Sequence, residues 1–214
     1  MNKRGLDQNK TPYLDALKKY ISEEVAPFDV PGHHMGNVSN DFKDFIGEMT
    51  FKCDVNAPRG LDHLNHPTGV ICEAQDLLAA AYDADEAFFL INGTSAGILA
   101  MIMATCSAHQ EIIMPRNCHK SAINALVLSG ARPIFIKPDY DYNLEIANQP
   151  SVEAYVEAMN DHPNARAVFV INPTYFGAVL DLKTIVKEAH QRGILVLVDE
   201  AHGAHFAFNH YGPY

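Results

Sequence analysis

Apolar positions along the 214-residue chain fall into two regimes. Up to about residue 66 they are scattered, with one periodic stretch. There Leu14, Leu17, Tyr20 and Ile21 recur at helical spacing after Thr11-Pro12, an N-cap type residue followed by proline in the first helical turn. Beyond Val25, the residues Pro27, Pro31, Gly32 and Gly36 interrupt any regular element. From Pro67 the pattern becomes regular. Val70, Ala74, Leu77, Leu78 and Ala81 predict a helix over 69–82, and Ala87-Phe88-Phe89-Leu90-Ile91 predicts a buried strand followed by a helix over 95–107. The alternation continues with strand 111–114, helix 119–129, strand 133–137, a loop and helix 151–161 with Ser151 at its cap. Strand 167–171, helix 181–192 capped by Asp181 and closed by Gly193, and strand 194–198 complete it. Short unbroken apolar runs between amphipathic helices predict an α/β fold: three layers, α/β/α, around a mostly parallel sheet covered on both faces. The expected organisation is an arm over residues 1–66 with one helix, then an α/β domain over 67–214. Residues 209–214 supply nothing that caps such a domain, so the domain is expected to stop short at its C-terminal end.

Composition narrows the function. Lys plus Arg is 16 against 26 Asp plus Glu, a net charge of −10. A negative field repels phosphate backbones and anionic membranes and suits a cationic small molecule. The longest apolar stretch, Ile98 to Cys106, is far below the roughly 20 residues of a bilayer-spanning helix. Met1 to Gly5 lead into polar residues with no apolar h-region, so no signal peptide is expected. Cys53, Cys72, Cys106 and Cys118 lack CxxC spacing and read as reduced thiols of a cytoplasmic protein.

In open α/β sheets ligands sit beyond the carboxyl ends of the strands, and four segments fall at such ends. Asn92-Gly93-Thr94-Ser95-Ala96-Gly97 combines small residues, two hydroxyls and a helix start, which can hold a phosphate or serve as a plain N-cap with glycine turns. Arg116-Asn117-Cys118-His119-Lys120-Ser121 puts an imidazole at the mouth of the sheet, to stack on a planar ring, shuttle a proton or cap a helix. Asn172-Pro173-Thr174-Tyr175-Phe176-Gly177 is a turn with two hydrogen-bonding side chains. Asp199-Glu200-Ala201-His202-Gly203 delivers a carboxylate at a strand end, which when desolvated needs a metal, a protonated ring nitrogen or a basic side chain. Asp199 to His202 also spells a DEAH helicase box, but no GxxxxGK[ST] loop accompanies it. Asp199, His202 and His205 offer metal-ligand chemistry, yet that leaves the other segments unexplained, and no metal is expected.

Together with Phe28-Asp29-Val30-Pro31-Gly32-His33-His34-Met35-Gly36 and Gly60-Leu61-Asp62-His63-Leu64-Asn65-His66-Pro67-Thr68-Gly69-Val70-Ile71, these segments make nearly the whole chain resemble the Orn/Lys/Arg decarboxylase family. These are pyridoxal-phosphate (PLP) enzymes of the aspartate-aminotransferase fold type, and the likeness is to compact members without an N-terminal wing domain. The resemblance implies that Gly93, Thr94 and Ser95 bind the PLP phosphate, His119 stacks on its ring, and Asp199 pairs with the protonated ring nitrogen. It further implies that His202 lies beside the cofactor, that Thr174 makes a nearby contact, and that Pro31–Gly36 borders the site. The implied catalytic residues are His119, Asp199 and His202. The implied reaction is decarboxylation of arginine, lysine or ornithine to a polyamine-pathway amine, in a homodimer or larger assembly. A transaminating or β-eliminating reaction on the same scaffold, or a non-catalytic fragment, are the alternatives.

The family holds PLP covalently on a lysine of a Ser-x-His-Lys motif, which this chain lacks. Lys120 follows the stacking histidine, and Lys183 and Lys187 fall on a helix surface. The 214 residues are therefore expected to be an N-terminal fragment, a truncated gene product or one piece of a split gene, inactive alone, with an exposed sheet edge and poor solubility or dependence on a partner chain.

Overall fold

The computed structural model describes residues 5–23, 25–38 and 41–208. Met1–Arg4 and the tail Asn209–Tyr214, on which the expectations about a leader and an uncapped end rest, lie outside them. The chain divides into two compact units, Met1–Phe89 and Leu90–Tyr214.

The first unit holds α1 (Pro12–Ser22), a 3-10 turn (His34–Gly36), α2 (Asp41–Ile46), α3 (Glu48–Cys53) and α4 (Val70–Ala81). Here the sequence reading needs correcting, because α2 and α3 are helices where only irregular chain was expected. Each is six residues long, too short for a periodic pattern to stand out, and the unit's packing stabilises them instead. Phe51 of α3 is buried, with the rings of His33 and Phe42 edge-on at 5.0 and 6.2 Å. Gly36 sits so close that a Cβ there would meet the Phe51 Cβ at 2.9 Å. Thr11 stands at the N-cap of α1 but makes no side-chain cap bond. His33 Nδ1 accepts from the Gly36 N–H, which leaves Nε2 facing the Asp54 carboxylate at 3.2 Å.

Asp62 organises the run into α4. Its carboxylate accepts from the backbone N–H groups of His63, Thr68, Gly69 and Ile71, capping the helix from eight residues upstream. Desolvation raises the carboxyl's pKa, but the four N–H donors outweigh it and hold the group at about 2, against an ordinary 3.8. A depressed folded-state pKa gives stability that is complete above the unfolded value and lost as pH falls through the folded one. Asp62→Asn, which tolerates the left-handed φ of +64° at this position, is therefore expected to cost about 1 kcal/mol near neutrality. It should also flatten the pH dependence of stability between roughly pH 4 and 2. Urea unfolding midpoints across that window test this, and parallel curves for both proteins would refute it.

The second unit is the expected three-layer α/β/α fold. Its elements are α5 (Gly93–Thr105), β1 (Glu111–Pro115), α6 (Lys120–Ser129), β2 (Arg132–Ile136), β3 (Tyr140–Asp141), β4 (Ile146–Ala147), α7 (Val152–Asp161), β5 (Ala167–Ile171), α8 (Leu182–Gln191) and β6 (Leu195–Asp199), before a 3-10 turn at Phe206–Phe208. The main sheet runs β2-β1-β5-β6, every pair parallel. Successive strand residues alternate between its faces. Ile112, Met114, Ala167 and Phe169 pack with Ile98 and Ile102 of α5 and Ala122, Ala125 and Leu126 of α6. Ile113, Val168 and Val170 pack on the other face with Tyr155 and Met159 of α7 and Ile185 and Ala189 of α8. Ser151 and Asp181 cap α7 and α8 as expected, accepting from the N–H groups of Ala154 and Thr184.

Two further readings need correcting in this part of the chain. Residues 87–91 form no strand: neither sheet contains them, and Phe88 and Ile91 are 72% and 86% exposed. Apolar, β-prone side chains are not enough, because a strand is held by ladder bonds to a neighbour, and no strand among the described residues pairs with this segment. The stretch between β2 and α7, expected as loop, contains the small antiparallel hairpin β3–β4. Its turn is set by Asp141, whose Oδ1 accepts from the N–H groups of Asn143 and Leu144. The four cysteines are free thiols. Among the described residues, no helix is long and apolar enough to cross a membrane.

Candidate functional site

The parallel sheet of the second unit sends the ends of β1, β5 and β6 to one edge. At the end of β1, Asn117 Nδ2 donates to the Asn148 carbonyl at 3.0 Å, while its Oδ1 is buried without a hydrogen-bond partner among the described residues. Burial, and secondarily the Asp199 carboxylate, push the Cys118 thiol up from its ordinary pKa, so the β1 and β6 ends lie within electrostatic reach of each other. His119 is the N-cap of α6. Its Nδ1 accepts from the Ser121 N–H at 3.2 Å and lies 2.8 Å from Ser121 Oγ. An acceptor Nδ1 leaves the proton of the neutral ring on Nε2, and the ring itself is exposed.

The turn after β5 is closely tied. Asn172 is buried; its N–H donates to the Asp199 carbonyl at 2.9 Å, and its Oδ1 accepts from the Leu180 N–H. Thr174 is also buried. Its N–H donates to the Ala178 carbonyl, and its hydroxyl oxygen accepts from the Ala178 N–H at 3.1 Å. The Thr174 oxygen thus closes its own turn. From the neighbouring loop, Gln149 donates to the carbonyls of Ile171 and Ala178. The aromatic rings of Tyr175 and Phe176 are left standing in solvent.

Asp199 ends β6. It is 5% exposed, and its Oδ1 accepts from the Ala201 N–H at 3.1 Å. Among the described residues, no Lys, Arg or His nitrogen lies within 4.0 Å of it. The following turn brings the His202 ring edge-on to Tyr175, with centroids 5.3 Å apart and planes at 87°. Gly203 packs directly on the β5 turn, where a Cβ would sit 2.8 Å from both the Asn172 carbonyl oxygen and Pro173 Cδ.

Gly93, Thr94 and Ser95 form the exposed first turn of α5, which starts two residues earlier than the periodicity implies. Residues 106–110 lead from the end of α5 back to the start of β1, so its first turn is directed toward the carboxyl ends of the strands. α5 packs on β6 and α6. The caps of α6, α7 and α8 all use a side chain, whereas Asn92 makes no side-chain bond at the head of α5. Its leading N–H groups keep their partial positive charge available to an anion. Among the described residues, no three His, Cys, Asp or Glu side chains group so as to hold a metal ion. Reading 172–177 as a turn passes over Tyr175, because no local pattern marks an exposed aromatic that meets a histidine 27 residues away.

At the carboxyl edge of an open parallel sheet, where ligands of α/β domains bind, stand a buried carboxylate with no cation within 4.0 Å among the described residues and a helix start without a side-chain cap. The chain belongs to the Orn/Lys/Arg decarboxylase family, whose major-domain model matches residues 11–212. It is 45% identical over 205 residues to the arginine decarboxylase of Bacillus subtilis (strain 168), covering 95% of this chain and 42% of that protein. It is 27% identical over 219 residues to a lysine decarboxylase of Pseudomonas aeruginosa, covering 94% of this chain and 29% of the relative. Its fold superposes on the constitutive lysine decarboxylase of E. coli with a TM-score of 0.79 and 25% identity, over 95% of this chain and 30% of that one. The chain thus spans less than half the length of these relatives.

Proposed function

We propose that these residues form the cofactor-binding part of a PLP-dependent decarboxylase acting on a basic amino acid, with arginine favoured. The observation that carries the reading is Asp199: a buried carboxylate with no cation beside it among the described residues. Such a group is costly unless a positive partner faces it, and a protonated pyridine nitrogen, which donates its N–H, fits that acceptor. The uncapped first turn of α5, with the Thr94 and Ser95 hydroxyls, fits the cofactor's phosphate. Arginine is favoured because a relative named arginine decarboxylase is 45% identical, against 27% for one named lysine decarboxylase.

When bound, PLP supplies an electron sink for the pair left behind as carbon dioxide departs. The protein's own residues prepare that step. Asp199 keeps the ring nitrogen protonated, since an opposite charge nearby favours the charged form. His119, with Nδ1 pinned by Ser121, presents its ring face for stacking. His202 would lie beside the cofactor, and the Thr174 hydroxyl would add a weaker contact nearby. The assembly is a cytoplasmic homodimer or larger. The amine product is of the class that feeds polyamine synthesis.

No Ser-x-His-Lys sequence occurs in the 214 residues. Lys120 opens α6, and Lys183 and Lys187 lie on α8. The 214 residues alone are therefore expected to bind PLP reversibly without turnover. The missing motif equally favours a second reading, a non-catalytic PLP-binding or assembly subunit. Carbon dioxide release from labelled arginine, lysine and ornithine decides between them. It is measured for the chain alone and for the chain joined to the Ser-x-His-Lys segment encoded in frame or beside it. Release from arginine only in the joined form supports the enzyme, PLP binding without release in either form supports the subunit, and absence of PLP binding overturns both.

A further inference from the structure

We infer that Tyr175 is a positioning residue that fixes the ring plane of His202 at the cofactor edge; this deepens the functional reading above and rests on it. Tyr175 is 84% exposed, with the Phe176 ring edge-on at 6.3 Å. Yet its backbone is rigidly held. The turn is closed on both sides of it by the Thr174–Ala178 pair and the Gly177 N–H to Thr174 carbonyl bond, and anchored by Asn172 to Leu180. The β6 turn is pressed against this one through Gly203, with no room for a side chain between them. Two rigid turns therefore set the distance between the rings, and the near-perpendicular contact at 5.3 Å lies in the preferred range for aromatic pairs. His202 has no hydrogen bond among the described residues that would orient its ring, so the Tyr175 contact is what restricts it. The contact uses the ring and not the phenol hydroxyl, so phenylalanine should substitute and an aliphatic residue should not.

The test uses the full chain with added PLP and three variants: Tyr175→Phe, Tyr175→Leu and Phe176→Leu. The His202 ring-proton NMR signal, assigned with His202→Gln, reports the contact directly through the tyrosine ring current and needs no cofactor. Tyr175→Leu is expected to move that signal toward an unperturbed histidine and to weaken PLP binding roughly two- to tenfold. Tyr175→Phe and Phe176→Leu should retain both. An unmoved His202 signal in Tyr175→Leu overturns the inference outright. A moved signal with undiminished PLP affinity overturns its link to the cofactor. Failure of the unsubstituted chain to bind PLP at all overturns the functional reading, while the ring-current result still decides whether the contact exists.

Discussion

Asp199→Asn is expected to weaken PLP binding by roughly 30-fold, or about 2 kcal/mol, the low end for truncating one partner of a buried charge pair. Asparagine keeps the shape and the Oδ1 that accepts from Ala201, so it removes the charge and little else. Some affinity should survive through the phosphate contacts at α5. The cofactor-free protein should respond in the opposite sense. A buried carboxylate without a counter-charge destabilises the fold, so Asp199→Asn should melt at the same temperature as the unsubstituted chain or above it. Added PLP should then raise the melting point of the unsubstituted chain much more than that of the variant. In the completed enzyme, turnover should fall sharply. A variant that loses stability without cofactor yet keeps full PLP affinity would show that Asp199 is a structural acid.

Gly203→Ala should disrupt the site by sterics alone. The added methyl meets a backbone carbonyl and a proline ring, both at 2.8 Å, and neither can swing aside as a long side chain could. The β6 turn must back away from the β5 turn, carrying Ala201, which donates to Asp199, and His202, which meets Tyr175. Overpacking of this kind costs about 1–3 kcal/mol. PLP affinity should fall with it, because both the carboxylate's orientation and the imidazole's position depend on this approach. Urea unfolding together with PLP titration checks both effects. An alanine variant with unchanged midpoint and affinity would mean the two turns are not tightly apposed in solution.

The contrast between α2–α3 and the second unit shows where sequence reading works. The strands β1, β5 and β6 and the caps Ser151 and Asp181 lie within a residue or so of their sequence-based positions, because their signals are local: unbroken apolar runs and a polar cap before a periodic face. His119, Thr174, Asp199 and His202 are nameable from the chain because they stand at or just beyond the ends of β1, β5 and β6, whereas Thr94 and Ser95 open α5 after a segment, 87–91, that forms no strand. What each does there is not nameable in the same way. Thr174 offers the same hydroxyl in either case, and only the fold shows its oxygen accepting from Ala178. Nothing near Asp62 in the sequence announces a carboxylate that gathers four N–H groups up to nine residues away.

The amino-acid order by itself settles the alternation of strands and helices, the resemblance to a decarboxylase family and the acidic charge, since periodicity, short motifs and composition are properties of neighbours along the chain. Tertiary structure alone decides that 87–91 finds no strand partner and Asp199 no adjacent cation among the described residues, that Gly203 admits no side chain and that Tyr175 meets His202. Each of these depends on groups distant in sequence competing for the same space or the same hydrogen bond, and no local pattern encodes the outcome of that competition.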